Sequence, residues 1–185
     1  MKTKPSLLFL CVLVLSAVWS RPASPASHQW RFNELYSNAD GTIQFVEMHE
    51  CCGFTAEIGL SSKWILVVGT GSKYTFNRNL TGNTADRYLL LATQGFADLP
   101  GVPAPDFIIP DGFLALGGDD LEYWLYDAAN LTYGALPADG VMSFNADSGI
   151  AVNSPTNFVG ETGSIDPTTV QPVSWGALKT LWSPW

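Results

Sequence analysis

Trp30-Arg-Phe-Asn-Glu-Leu-Tyr36, Asn38-Ala-Asp-Gly41 and Thr42-Ile-Gln-Phe-Val-Glu-Met-His-Glu50 follow one another and decide the fold class. The flanking runs are rich in aromatic and β-branched residues, and an Asp-Gly pair readily turns the chain. The stretch reads as two antiparallel strands around a turn somewhat longer than the two-residue minimum. Outward from it the same grammar repeats. Lys63-Trp-Ile-Leu-Val-Val68 is closed by Gly69-Thr-Gly-Ser72, and Lys73-Tyr-Thr-Phe76 is a short strand. Arg87-Tyr-Leu-Leu-Leu-Ala-Thr93 is almost continuously apolar, as in a strand covered on both faces. Phe107-Ile-Ile109, Phe113-Leu-Ala-Leu116, Leu121-Glu-Tyr-Trp-Leu-Tyr126, Leu131-Thr-Tyr133 and Val141-Met-Ser-Phe144 add shorter runs. Pro110-Asp-Gly112, Gly117-Gly118 and Pro137-Ala-Asp-Gly140 punctuate them. No stretch shows the 3.6-residue period of a long helix. The pattern predicts an all-β sandwich with Trp64 buried between its sheets, and a long loop from Asn145 to Gln171.

The 185 residues suffice for one domain of ordinary size. With 46% hydrophobic residues the chain can bury a core, which excludes wholesale disorder. Nine Lys and Arg stand against 17 Asp and Glu, a net charge of -8 that repels a phosphate backbone and excludes nucleic acid as a partner. Met1-Lys-Thr-Lys4 and the apolar run Leu7–Trp19 resemble an export signal that is too short to span a membrane comfortably. The expected organisation is a signal peptide over 1–26 cleaved between 20 and 27, a β-sandwich over 27–170, and a Trp-rich segment over 171–185. The expected location is secreted and extracellular, with no stable membrane insertion after processing.

Four pieces in order resemble the lamin-tail type of immunoglobulin-like domain, found in secreted bacterial proteins and nuclear lamins. Phe32-Asn-Glu-Leu35 resembles its opening I-N-E-I strand, and Phe45-Val-Glu-Met-His49 its W-I-E-L-Y strand. Leu60-Ser-Ser-Lys-Trp-Ile-Leu66 is similar to L-S-G-W-x-L with one extra residue. Tyr74-Thr-Phe76 and Tyr88-Leu-Leu-Leu91 resemble its Y-x-F and Y-L-L-L strands, and Asn153-Ser-Pro-Thr-Asn157 its late Pro-containing turn. The resemblance implies an immunoglobulin-like β-sandwich used for attachment or interaction, with an elaborated loop-rich C-terminal half and no catalytic site.

Several clusters can carry chemistry. Glu34 and Glu47 lie on the first two strands and can face each other, as the carboxylates of a glycoside hydrolase do. The ordinary reading of such a pair is that it lines the polar face of a hairpin or accepts hydrogen bonds from nearby backbone. Between Tyr88 and Leu178 there are eleven acids and no Lys or Arg, which reads as a solvated acidic face. Within it Asp119, Asp120 and Asp127 are the candidate calcium ligands, although no EF-hand loop holds them. His49, Cys51 and Cys52 form the one soft-ligand cluster, too small for a zinc site and without the third group of a Cys–His nucleophile. Adjacent Cys51 and Cys52 can form a vicinal disulfide, remain free or link molecules, and their place at a strand end favours a buried thiol pair. Asn79-Leu-Thr81 and Asn130-Leu-Thr132 are N-glycosylation sequons, and Trp175, Trp182 and Trp185 are candidate binding aromatics.

The leading expectation is a non-catalytic binding or structural module for a protein or cell-surface component, without cofactor. The alternatives are a carbohydrate-binding adhesion module, calcium-stabilised or not, and a hydrolase using the Glu pair. Exposed coplanar aromatics would mark the carbohydrate module, and carboxylates converging in a cleft the hydrolase.

Overall fold

Ten strands divide between two packed sheets in a computed structural model that describes residues 27–165. The larger sheet contains β1 (Trp30–Ser37), β2 (Gln44–Glu50), β5 (Tyr88–Ala92), β6 (Phe107–Ile108), β9 (Met142–Asn145) and β10 (Gly149–Val152), in the order β10-β9-β1-β2-β5-β6. The smaller contains β3 (Trp64–Val67), β4 (Ser72–Thr75), β7 (Asp119–Tyr123) and β8 (Leu131–Tyr133), in the order β4-β3-β7-β8. All pairings are antiparallel except β5 with β6. The all-β, two-sheet expectation holds.

Alternation along the strands sends one set of side chains between the sheets. Val46, Met48, Leu89 and Leu91 from the larger sheet meet Ile65, Val67, Leu121 and Tyr123 from the smaller in one buried cluster. A bulge in β1 makes this packing work. Phe32 pairs with Met48 and Glu34 with Glu47, so Asn33 is the extra residue. The shift turns Phe32 and Leu35 into the core although they are three residues apart, and leaves Glu34 on the opposite face.

That outer face of the larger sheet is also covered. Tyr36, Phe45, Leu90 and Ala92 are buried there with Phe96, from the one-turn helix α1 (Gln94–Ala97), and with Ile165. Thr93 caps α1, its hydroxyl accepting from the Phe96 N–H. The expected loop after Asn145 therefore contains a strand, β10, and then a strap that lies on the sheet. Phe113–Leu116 forms no strand, and β7 stops at Tyr123. Among the described residues no helix is long and apolar enough to cross a membrane. The expected signal segment, Asp166 and the three C-terminal tryptophans lie outside the described residues.

Candidate functional site

The two outer faces present different chemistry. On the larger sheet, Glu34 and Glu47 are directly paired across β1 and β2, and both are 1% exposed. They lie under residues 153–158, which donate backbone N–H groups at alternate positions. Ser154 N–H reaches Glu34 Oε1 at 2.9 Å, Thr156 N–H reaches Glu47 Oε2 at 2.6 Å, and Phe158 N–H reaches Asp106 Oδ2 at 2.9 Å. Side chains complete the set. Ser143 and Ser154 hydroxyls donate to Glu34, Asn33 Nδ2 donates to Glu47 Oε1 at 2.6 Å, and Leu90 N–H adds to Asp106.

Charge-assisted bonds of this kind offset part of the cost of burying a carboxylate. Burial nonetheless pushes the Glu47 carboxyl up to about 8, with the neighbouring Glu34 adding to the rise and the Asn33 and Thr156 donors opposing it. Burial raises Asp106 as well, against the donors from Leu90 and Phe158 and the nearby Arg78. The Glu pair thus faces itself as its strand positions predict, but as anchors beneath a strap. Asp106 corrects the reading of the acids as uniformly solvated.

The loop leaving β2 uses the same device. Glu50 is fully buried and accepts the backbone N–H groups of Cys52, Gly53, Phe54 and Asp86. Cys51 and Cys52 are joined to each other, with Sγ atoms 2.18 Å apart and both residues exposed. The expected buried thiol pair is therefore replaced by an exposed vicinal disulfide, because the Glu50 cradle turns the chain outward immediately after β2. His49 stacks on Tyr88, with ring centroids 4.5 Å apart, rather than pairing with either cysteine.

Among the described residues no such strap lies over the outer face of the smaller sheet, whose side chains are half-buried or exposed. Ile65 and Val67 point into the core, so Trp64 and Leu66 point out, and Val68 continues their row at 44% exposure. Asp120 and Glu122 on β7 lie on the same face, since Leu121 and Tyr123 are buried. Leu66 pairs with Glu122, and the Trp124 N–H donates to the Trp64 carbonyl at 2.8 Å. Trp64 is half-buried on this outer face, which corrects its expected place between the sheets. Its ring meets that of Trp124 at 6.0 Å and 55°, and Lys73 Nζ sits 4.6 Å from its centroid.

Trp124 has φ 52°, an uncommon left-handed backbone for a bulky side chain. On the same sheet a cleft of about 280 Å³ is lined by Val68, Asp120, Leu121, Glu122, Asn130, Leu131 and Thr132. That volume lies near the lower limit for ligand pockets, roughly 300 Å³. It admits one side chain or one sugar ring.

The candidate calcium ligands are not gathered. Asp119 accepts from the Gly69 and Asp120 N–H groups, which lower its carboxyl below the usual carboxylate range. Asp120 accepts from the Thr132 hydroxyl, and Asp127 opens the 3-10 turn Asp127–Ala129. Among the described residues, the only three potential ligand side chains within 4.8 Å of one another are Glu50, Cys51 and Cys52. The disulfide and the backbone donors already engage all three. Both sequon asparagines are exposed, with Asn79 Oδ1 accepting from Ser61 and Asn130 at the cleft mouth.

Sequence reasoning missed Lys73, Trp124 and Asp106 as members of these arrangements. The Trp64 and Leu121–Tyr126 runs contained the signal for the open face, but their near-continuous hydrophobicity concealed which side chains point outward. No family model matches the chain, and comparison with curated proteins and with solved structures likewise finds no match.

Proposed function

We propose that this protein is an exported, non-catalytic binding module of the immunoglobulin-like, lamin-tail type, which presents the outer face of its four-stranded sheet to a protein or cell-surface component. One observation carries the reading. Trp64 lies on the outer face with the Trp124 ring 6.0 Å from its own, and the same sheet carries a small cleft lined by Val68, Asp120, Glu122, Asn130 and Thr132. Aromatic anchors beside a polar rim are the usual makings of a binding surface. Support for the lamin-tail type comes from its motif pieces, which fall on β1, β2, β3, β4 and β5 in order. Support for export comes from the basic start and apolar run of residues 1–26.

The test compares capture of cell-surface proteins by the immobilised mature chain and by a Trp64→Ser, Trp124→Ser double variant of matched circular dichroism. A component identified by mass spectrometry should be held by the first and lost from the second. Equal retention would overturn the assignment of the face. The carbohydrate alternative draws on the same cleft and aromatics, although the 55° tilt departs from a coplanar stacking platform. A panel of neutral polysaccharides tests it.

A further inference from the structure

The open face already holds a cation. Lys73 on β4 is diagonal to Trp64 across the strand pair and places its ammonium over the indole, 4.6 Å from the centroid. Indole faces attract cations through their quadrupole, and they do so more strongly when the cation is desolvated. Next along the same face come Glu122 and Asp120, two residues apart on β7, so their positions are about 6.6 Å from each other. An extended segment running along the sheet would repeat its own same-side residues at that spacing. The surrounding charge favours the same class of ligand. No Lys or Arg occurs between Tyr88 and Leu178, and the chain carries a net charge of -8. Trp124, whose backbone is left-handed, has its ring 6.0 Å from that of Trp64, and such outliers tend to cluster at ligand clamps.

We infer that the occupant of this face is a basic protein segment with Lys or Arg at alternate positions, one cation replacing Lys73 over Trp64 and the next meeting Glu122 and Asp120. The inference rests on the reading of the open face as the binding surface. It has an unusual consequence: the protein's own Lys73 competes with the ligand. Lys73→Met should therefore tighten binding, about three- to fivefold for a cation–π contact of ordinary strength.

The experiment uses the mature chain and three probes: the peptide Arg-Ser-Arg-Ser-Arg-Ser, its citrulline counterpart, and a neutral cello-oligosaccharide. Calorimetric titration of the unaltered protein should show saturable binding of the arginine peptide and none of the citrulline peptide. Lys73→Met should strengthen the former, and Glu122→Gln and the double Trp variant should weaken it. No saturable arginine binding, equal binding of the citrulline peptide, or weaker binding by Lys73→Met would overturn the inference. Saccharide binding abolished by the Trp substitutions, with no peptide binding, would overturn the cationic class while retaining the face. Arginine-peptide binding unaffected by those substitutions would overturn the face itself.

Discussion

The two sheets share one core but treat their outer faces oppositely. The six-stranded sheet covers its face with α1 and residues 153–165, pinned by Glu34, Glu47 and Asp106. Among the described residues the four-stranded sheet has no such cover over Trp64, Leu66, Val68 and Glu122, which are half-buried or exposed. The contrast shows that residue type alone does not mark a site. Paired glutamates, which can mark a catalytic pair, here accept bonds from a strap, while Trp64, expected between the sheets, lies on an outer face. Among the described residues the sole contact at salt-bridge distance is His28 Nδ1 with Glu57, at 3.6 Å, so the buried acids depend chiefly on backbone and side-chain donors.

The largest effect should come from cutting the strap. Glu34→Ala removes the acceptor for the Ser154 N–H and for two hydroxyls, and each buried donor left without a partner costs roughly 1–3 kcal/mol. Chemical denaturation should show a loss of about 2–4 kcal/mol. A loss under about 1 kcal/mol would mean that the covered face is not pinned as described.

The next effect is in the pH dependence of stability. With Glu47 raised from 4.5 to about 8, the folded protein keeps a proton that the unfolded chain has released. Its contribution is complete below about pH 4.5 and disappears as pH rises through about 8, with a slope of at most about 1.4 kcal/mol per pH unit. Asp106 is also raised and acts in the same direction at lower pH. Denaturation midpoints measured from pH 4 to 9 should therefore fall with pH, and Glu47→Gln should flatten the decline. Stability that rises across this window would contradict the burial argument.

On the open face the effects should be smaller. Trp64→Ala loses an aromatic neighbour and a cation–π contact but opens no cavity in the inter-sheet core, so about 1–2 kcal/mol is expected. A loss of 3 kcal/mol or more would return Trp64 to a core role and erase the contrast between the faces. Reduction of Cys51–Cys52 should matter least, since a bond between adjacent residues closes almost no chain and constrains the unfolded state little. Native protein should show no reactive thiol at these positions before reduction. After reduction, stability should change by less than about 1 kcal/mol.

Much of the framework was legible in the residues. The pairing of Glu34 with Glu47, the strand runs from β1 to β5 and the two-layer architecture all follow from local pattern. The bulge at Asn33 was not legible, because nothing in Phe32-Asn-Glu-Leu35 distinguishes a shifted register from a regular one. Gly149–Val152 is a strand of four residues inside polar punctuation, too short for periodicity to separate from loop. Asp106 read as one more surface acid because its partners, Leu90 and Phe158, are distant in sequence. The orientation of Trp64 was hidden for another reason. Trp64–Val68 has no polar residue to mark its outer side, and only the positions of Tyr74, Leu121 and Tyr123 across the sheet decide which way it faces.

Hydrogen exchange by mass spectrometry, on the mature chain with and without saturating Arg-Ser-Arg-Ser-Arg-Ser peptide, tests the difference between the faces most directly. Added protection should be confined to residues 64–68, 72–75, 119–124 and 130–132, while the strap at 153–158 is already slow to exchange in the free protein. Added protection at the strap or along β10, or a strap that exchanges rapidly without ligand, would contradict a closed six-stranded face and an open four-stranded one.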